Sequence, residues 1–527
     1  MNQWKKRIAY LFATIFIAAL HIQAADDGKE NVVDIPFQKG TLRLHIMAEN
    51  AVRVQYIEGE GRELPEWIYL PDAGTKKVAY SKEGMHKVST INNRSTAVQD
   101  ETLIKTAQMS IRVDNQAQTL VVSNAQGKEV FKATSHQLQA GTVQGEPTYS
   151  AEIKIASPAD EYLYGLGQFQ DGYSNVRGLT RRLTQVNTQI AIPFVLSSRG
   201  YGLLWNNYGL TDFNPAEASL KLEQGNKLGE AVAVNVTSTE GGKREMRRSN
   251  VFTGTLEVPA DGQYALLLDV GQNMARRHHL TIDGKTIVDV RNTWLPPTTS
   301  VMVELKAGKH EIMAELERND RPTLYYRQTD HTTTLRSPVA SCVDYTLFIG
   351  TADEAIAAYR DLTGEVPMLP QWAFGYVHCR ERYKSQKELL ENAATFRQRN
   401  LPIDLIVQDW QYWGKYGWNA MRFDEAHYPD PAAMMDSLHR MNMHLMLSVW
   451  SKVDPNSEVG RQMTEKGYYI PKTSWIDFFN PDAAAFYWKN FSERLLKPYG
   501  IDAWWQDATE PENDDLVGRR VNNQTIP

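Results

Sequence analysis

Asp507 closes an apolar run, Ile501-Asp-Ala-Trp-Trp505, and two further acids, Glu510 and Glu512, follow within five residues. The run reads as a short buried strand. A carboxylate at the C-terminal end of such a strand, opening into a polar loop, is where an α/β barrel carries its chemistry. The plainer alternative is that Asp507 caps the next helix. Two earlier runs end in the same manner: Asp404-Leu-Ile-Val-Gln408 leads into Asp409 and Trp410, and Leu445-Met-Leu-Ser-Val449 into Trp450. Another, Ala373–Cys379, exits into Arg380-Glu-Arg-Tyr383. In a parallel barrel these four ends surround one mouth. Carboxylates gathered there can bond hydroxyls and attack an anomeric carbon, while Trp and Tyr rings stack on sugar faces. Trp410, Trp413 and Trp418 read equally well as core when each is taken alone. The coincidence of four strand ends is what points to carbohydrate.

The elements that would position these residues alternate. Helical spacing runs over Ser385–Gln398, over Pro429–Met441, and from Pro481, behind an Asn480 cap, to about Leu496. Apolar strands separated by helices predict a parallel sheet. Only four βα units are visible in about 155 residues after Leu369, whereas a closed eightfold barrel takes roughly 250. The expectation is therefore the first half of a (β/α)8 barrel, carried by a fragment.

Upstream the texture is all-β. Thr41-Leu-Arg-Leu-His-Ile46 and Val52-Arg-Val-Gln-Tyr56 alternate apolar and polar, as many short runs do from about residue 30 to 215, which predicts a β-sandwich. From about Ala216 three hairpins are expected: Val251–Asp269 around Ala-Asp-Gly, Leu280–Val288 around Asp283-Gly284, and Val301–Leu316. The domain reading is a signal peptide at 1–24, a sandwich at 25–219 and 338–352, an inserted β module at 220–337, a linker helix at 353–370 and the truncated barrel at 371–527.

Lys5-Lys6-Arg7 before the apolar stretch Ile8–Leu20, with Ala24 and Ala25 following, has the order of a secretory signal. The stretch is shorter than the ~20 residues of a membrane span. Export to the periplasm or beyond follows, with no membrane span in the mature chain. A formal net charge of −6 leaves no basic footprint for nucleic acid. No Cys/His cluster has metal-ligand spacing, so neither a metal nor a cofactor is expected. Cys342 and Cys379 read as buried free thiols. Oligomeric state is not legible.

Taken in order, Leu369-Pro-Gln-Trp-Ala-Phe-Gly375, Asp404-Leu-Ile-Val-Gln-Asp409-Trp, Tyr428-Pro-Asp430-Pro, Asp477-Phe-Phe-Asn-Pro-Asp-Ala483 and Trp504-Trp-Gln-Asp507-Ala-Thr-Glu510 resemble glycoside hydrolase family 31, which holds retaining α-glucosidases and α-xylosidases. The Asp-Trp-Gln-Tyr-Trp-Gly414 run and the β module, itself similar to a protective-antigen-type module, are most like bacterial α-xylosidases acting on xyloglucan oligosaccharides. The resemblance implies that Asp507 is the nucleophile, with Glu510 supporting it. It implies that Asp409 bonds sugar hydroxyls, that Trp450 and Trp505 wall the pocket, that Trp410 borders it, and that the exit loop with Arg380 lines it. The choice among Arg380, Glu381 and Arg382 as the residue that touches sugar is left open. The acid/base would be an Asp well beyond the nucleophile in sequence, so the chain by itself is expected to be inactive. An α-glucosidase of the same family, and a secreted glycan-binding protein without catalysis, are the competing readings.

Overall fold

The computed structural model describes residues 31–59, 66–91, 94–236, 243–272, 274–317, 319–507, 519–521 and 524–525. The expected signal peptide and Glu510 lie outside them.

Alternating runs in the N-terminal half form two antiparallel sheets, one of seven strands and one of nine, over a shared core. Strand Gly40–Ala48 shows the cause: Leu42, Leu44 and Ile46 are fully buried while the residues between them are not. Val343–Ile349 returns to lie between Ala51–Ile57 and Tyr201–Trp205. Helix Ala352–Thr363, capped by Thr351, then packs Ala355, Ala358 and Leu362 against Phe348.

Residues 218–328 make two sheets of their own, of four and five strands. Of the three expected hairpins only Ala275–Ile282 with Lys285–Leu295 is one; its Asp283-Gly284 turn has φ of 49° and 76°. The other two are corrected. Lys243–Val258 pairs with Gly308–Leu316 in one sheet, and Gly262–Asp269 pairs with Thr298–Leu305 in the other. Each expected hairpin turn is therefore an arch between sheets, so that the apolar faces of successive strands meet across a core rather than lying side by side. The border expected at 337/338 falls inside strand Thr332–Ala340, which belongs to the nine-stranded sheet.

The last domain is built on a four-stranded parallel sheet: β1 (Val377–His378), β2 (Leu405–Gln408), β3 (His444–Trp450) and β4 (Ala503–Asp507), adjacent in that order. Between them come α1 (Gln386–Gln398), α2 (Pro431–Arg440), α3 (Glu458–Glu465) and α4 (Pro481–Phe491). Ser385, Asp430 and Asn480 cap α1, α2 and α4 with their side chains, and Pro431 and Pro481 occupy first-turn positions. The expected strand Ala373–Cys379 shrinks to two residues. Pro370 starts a 3-10 turn at Gln371–Phe374, and the Asp404 carboxylate packs against Gly375 so closely that a Cβ there would lie 1.9 Å from it. With so short a strand at the sheet edge, Cys379 is exposed and Cys342 half-buried, not the buried pair expected; both are free. No helix among the described residues is long and apolar enough to cross a membrane.

Candidate active site

Strand periodicity sorts the residues of this sheet. Ile406, Leu445, Leu447 and Val449 face the helices in one apolar cluster, and Trp504 packs 4.0 Å from Phe491 of α4. Alternation therefore turns Asp409, Ser448, Trp450, Trp505 and Asp507 to the opposite face, at the strands' C-terminal ends. Trp450 pairs in register with Asp507, and Ser448 with Trp505. Because Gln408 pairs with Leu447, Asp409 comes level with Ser448.

Charge draws the same group together. Burial, then the nearby carboxylates of Asp507 and Glu381, lift the Asp409 carboxyl to about 6; the Trp410 N–H and the Ser448 hydroxyl pull the other way. The Trp410 N–H donates to Asp409 Oδ1 at 2.8 Å. Ser448 Oγ is buried without a strict hydrogen-bond partner, yet is close enough to stabilise the ionised acid. Cys379 is exposed as a residue, yet partial burial of its thiol, with the carboxylates of Asp409 and Asp507 nearby, raises that thiol to about 11. Three carboxylates, of Asp409, Asp507 and Glu381, thus converge on one partly dry space.

Aromatic rings form the flank. Trp418 stands edge-on to Trp450 at 4.8 Å and lies 5.5 Å from Trp410 and 5.3 Å from Trp413. Tyr487 Oη donates to the Trp450 carbonyl at 2.8 Å, and Asn419 Nδ2 donates to the same oxygen, so the end of β3 is fixed from two sides. Trp450 Nε1 is buried with no acceptor among the described residues. Trp505 leaves 38% of its surface open. Such a set offers a flat face, a free N–H donor and carboxylate acceptors, which is what a sugar ring with several hydroxyls requires.

Of the expected site residues, Asp507, Asp409, Trp450 and Trp505 share this face, and Trp410 borders it. Arg380 turns aside: its guanidinium meets Glu388 of α1 at 3.3 Å and lies over the Tyr383 ring. Arg382 instead covers the Trp410 ring at 4.9 Å. Ser448 escaped the sequence reading, and the choice among Arg380, Glu381 and Arg382 was left open in it. Glu381, whose Oε1 is buried without a partner among the described residues, sits in the loop after β1. Ser448 was findable, being two residues before Trp450 on the same strand face. Sequence could not single out Glu381, since nothing in an Arg-Glu-Arg run says which side chain turns inward.

A profile of the glycosyl hydrolases family 31 TIM-barrel domain matches residues 366–526, and one of the glycosyl hydrolase 31 N-terminal galactose mutarotase-like domain matches residues 41–214. An alpha-xylosidase of Saccharolobus solfataricus is 27% identical over 485 residues, 89% of this chain and 48% of the relative. Alpha-glucosidase 2 of Bacillus thermoamyloliquefaciens is 26% identical over 192 residues, 33% of this chain and 24% of the relative. Among solved structures, a GH31 alpha-xylosidase from Xanthomonas citri superposes with a TM-score of 0.74 at 26% identity, covering 94% of this chain and 59% of that one. The chain spans about half the length of the first two curated relatives it matches.

Proposed function

This chain belongs to glycoside hydrolase family 31, and from that premise we propose that it carries the nucleophile half of a retaining α-xylosidase site acting on xyloglucan-type oligosaccharides after export from the cell. Asp507 attacks C1 of the sugar, the glycosidic bond breaks as the leaving oxygen takes a proton, and a covalent glycosyl-enzyme forms. Water then opens the ester with retention of configuration. Asp409 holds sugar hydroxyls, with Trp450 and Trp505 as walls. The observation that carries this reading is the register of β3 and β4, which sets Asp507 beside Trp450 while its charge reaches Asp409.

A retaining mechanism needs a second carboxyl about 5–5.5 Å from the first. On the family pattern that proton donor is an Asp well beyond Asp507 in sequence. Glu510, outside the described residues, is assigned a supporting role.

Xylose differs from glucose by lacking the CH2OH on C5, and a bulky wall can exclude that group. We assign that part to Trp410, directly after Asp409; its contacts with Trp418 and Arg382 support the reading. The test is the hydrolysis ratio of p-nitrophenyl α-xyloside to p-nitrophenyl α-glucoside, measured on the polypeptide as its cell makes it, before and after Trp410→Leu. The ratio is expected to fall by about 10-fold or more, since one pocket group is worth ~1–3 kcal/mol. An unchanged ratio removes Trp410 from the account and leaves the α-glucosidase reading standing. The β module at 218–328 is assigned the role of extending the site toward branched chains.

A further inference from the structure

At the N-terminal end of the parallel strands, opposite the mouth, three side chains from different βα units meet. His439 in the last turn of α2, His444 at the head of β3 and Asp502 just before β4 bring their ligand atoms within 4.8 Å of one another. His439 Nε2 lies 3.2 Å and His444 Nδ1 lies 3.1 Å from the same oxygen, Asp502 Oδ1. A tetrahedral zinc ion with bonds of about 2.0–2.2 Å separates its ligand atoms by roughly 3.3–3.5 Å. The two measured edges need open only slightly to admit one.

His444 supplies a second, independent observation. Its Nδ1 is buried and makes no hydrogen bond, although a carboxylate oxygen stands 3.1 Å away. The direction is wrong for an N–H···O contact. A buried ring nitrogen left without a hydrogen bond beside a carboxylate is costly, and a cation bound to that nitrogen would satisfy it. The surroundings also hold the ligands still. The Trp372 ring stacks on His444 at 4.0 Å with planes 20° apart, and the Leu445 N–H donates to Asp502 Oδ2 at 3.0 Å. Outer contacts of this kind orient first ligands at metal sites. The His439 side chain is 41% exposed, which leaves an entry path and room for water as a further ligand.

We propose that His439, His444 and Asp502 form a binding site for a divalent transition metal of the zinc type, tying α2, β3 and β4 together at the end of the barrel away from the sugar. Two imidazoles and one carboxylate suit Zn2+ better than Ca2+ or Mg2+, which favour shells of oxygen alone. The role is structural, as expected of the strands' N-terminal face.

Calorimetric titration of the tag-free, chelator-treated protein with ZnCl2 tests this, with MgCl2 as control. One zinc per chain is expected, with a Kd at or below the micromolar range and no comparable binding of magnesium. Saturation should raise Tm by about 5 °C, and EDTA should reverse it. His439→Gln, at the exposed corner, and Asp502→Asn should each weaken zinc binding at least about 10-fold. If Asp502→Asn does not fold, His439→Gln carries the comparison, its fold checked by circular dichroism. Absence of saturable zinc binding, or a His439→Gln variant that binds zinc as tightly as the parent, overturns the proposal.

Discussion

Asp409 is asked to be an acceptor for sugar hydroxyls, and burial makes ionisation costly for it. With its carboxyl lifted from 3.8 to about 6, the folded state holds the proton where the unfolded chain has released it. Stability contributed by this group is therefore present below about pH 4 and is lost as pH rises toward 6. Asp409→Asn should flatten that slope and raise stability at pH 7 by on the order of 1 kcal/mol, after allowance for its partial exposure; urea unfolding at pH 4, 5, 6 and 7 measures it. The same substitution should lower kcat/KM by about 10- to 150-fold, the worth of a charged hydrogen bond. The wild-type acid limb of kcat/KM should lie near pH 6. Glu381→Gln, which removes a neighbouring charge, should move that limb to lower pH. Asp507, Asp409 and Trp450 were legible in sequence because each ends an apolar run. Arg380 was legible only as a position: its choice of Glu388 as partner depends on where α1 begins.

At the scale of elements, the segment from Trp410 to Trp418 carries the aromatic flank, and Gly414 and Gly417, both with positive φ, help fix its path. Gly414 has φ of 45°, and a Cβ added there would lie 2.0 Å from Asp424 Oδ2. Asp424 is itself committed, accepting from the backbone N–H groups of Lys415 and Ala426 at 3.3 and 3.1 Å. Gly414→Ala should cost about 2–4 kcal/mol in chemical denaturation and should weaken catalysis by shifting Trp413 and Trp418. Wild-type stability in that variant would mean that the loop is not fixed in this way. Elements of the barrel were readable because caps and prolines mark helix starts, and α1, α2 and α4 begin within two residues of their expected positions. The arches of the module were not. A turn such as Ala-Asp-Gly reverses the chain whether the next strand joins the same sheet or the facing one, and only packing across the core decides between them.

Over the whole molecule, residues 218–328 leave and rejoin the sandwich at neighbouring points. Phe213 pairs with Leu335, and the Asn214 N–H donates to the Thr334 carbonyl at 2.8 Å. Excision of 218–329 with a short polar turn in its place should therefore leave the sandwich folded, while a cut reaching Leu335 removes part of a sandwich strand and should not. If the module extends the site, the clean excision raises KM for long xyloglucan oligosaccharides several-fold and spares aryl xylosides; equal effects on both contradict that role. The fold class was visible upstream as alternation and downstream as strand and helix in turn, whereas the grouping of the module's strands into two sheets depends on long-range pairing that no local pattern encodes. The account as a whole rests on Asp507 becoming bonded to a sugar. A 5-fluoro-α-xylosyl fluoride, incubated with the polypeptide as its cell makes it, digested and read by mass spectrometry, is predicted to label the peptide containing Asp507. A label lodged on another carboxylate, or release of product with inverted anomeric configuration, would contradict it.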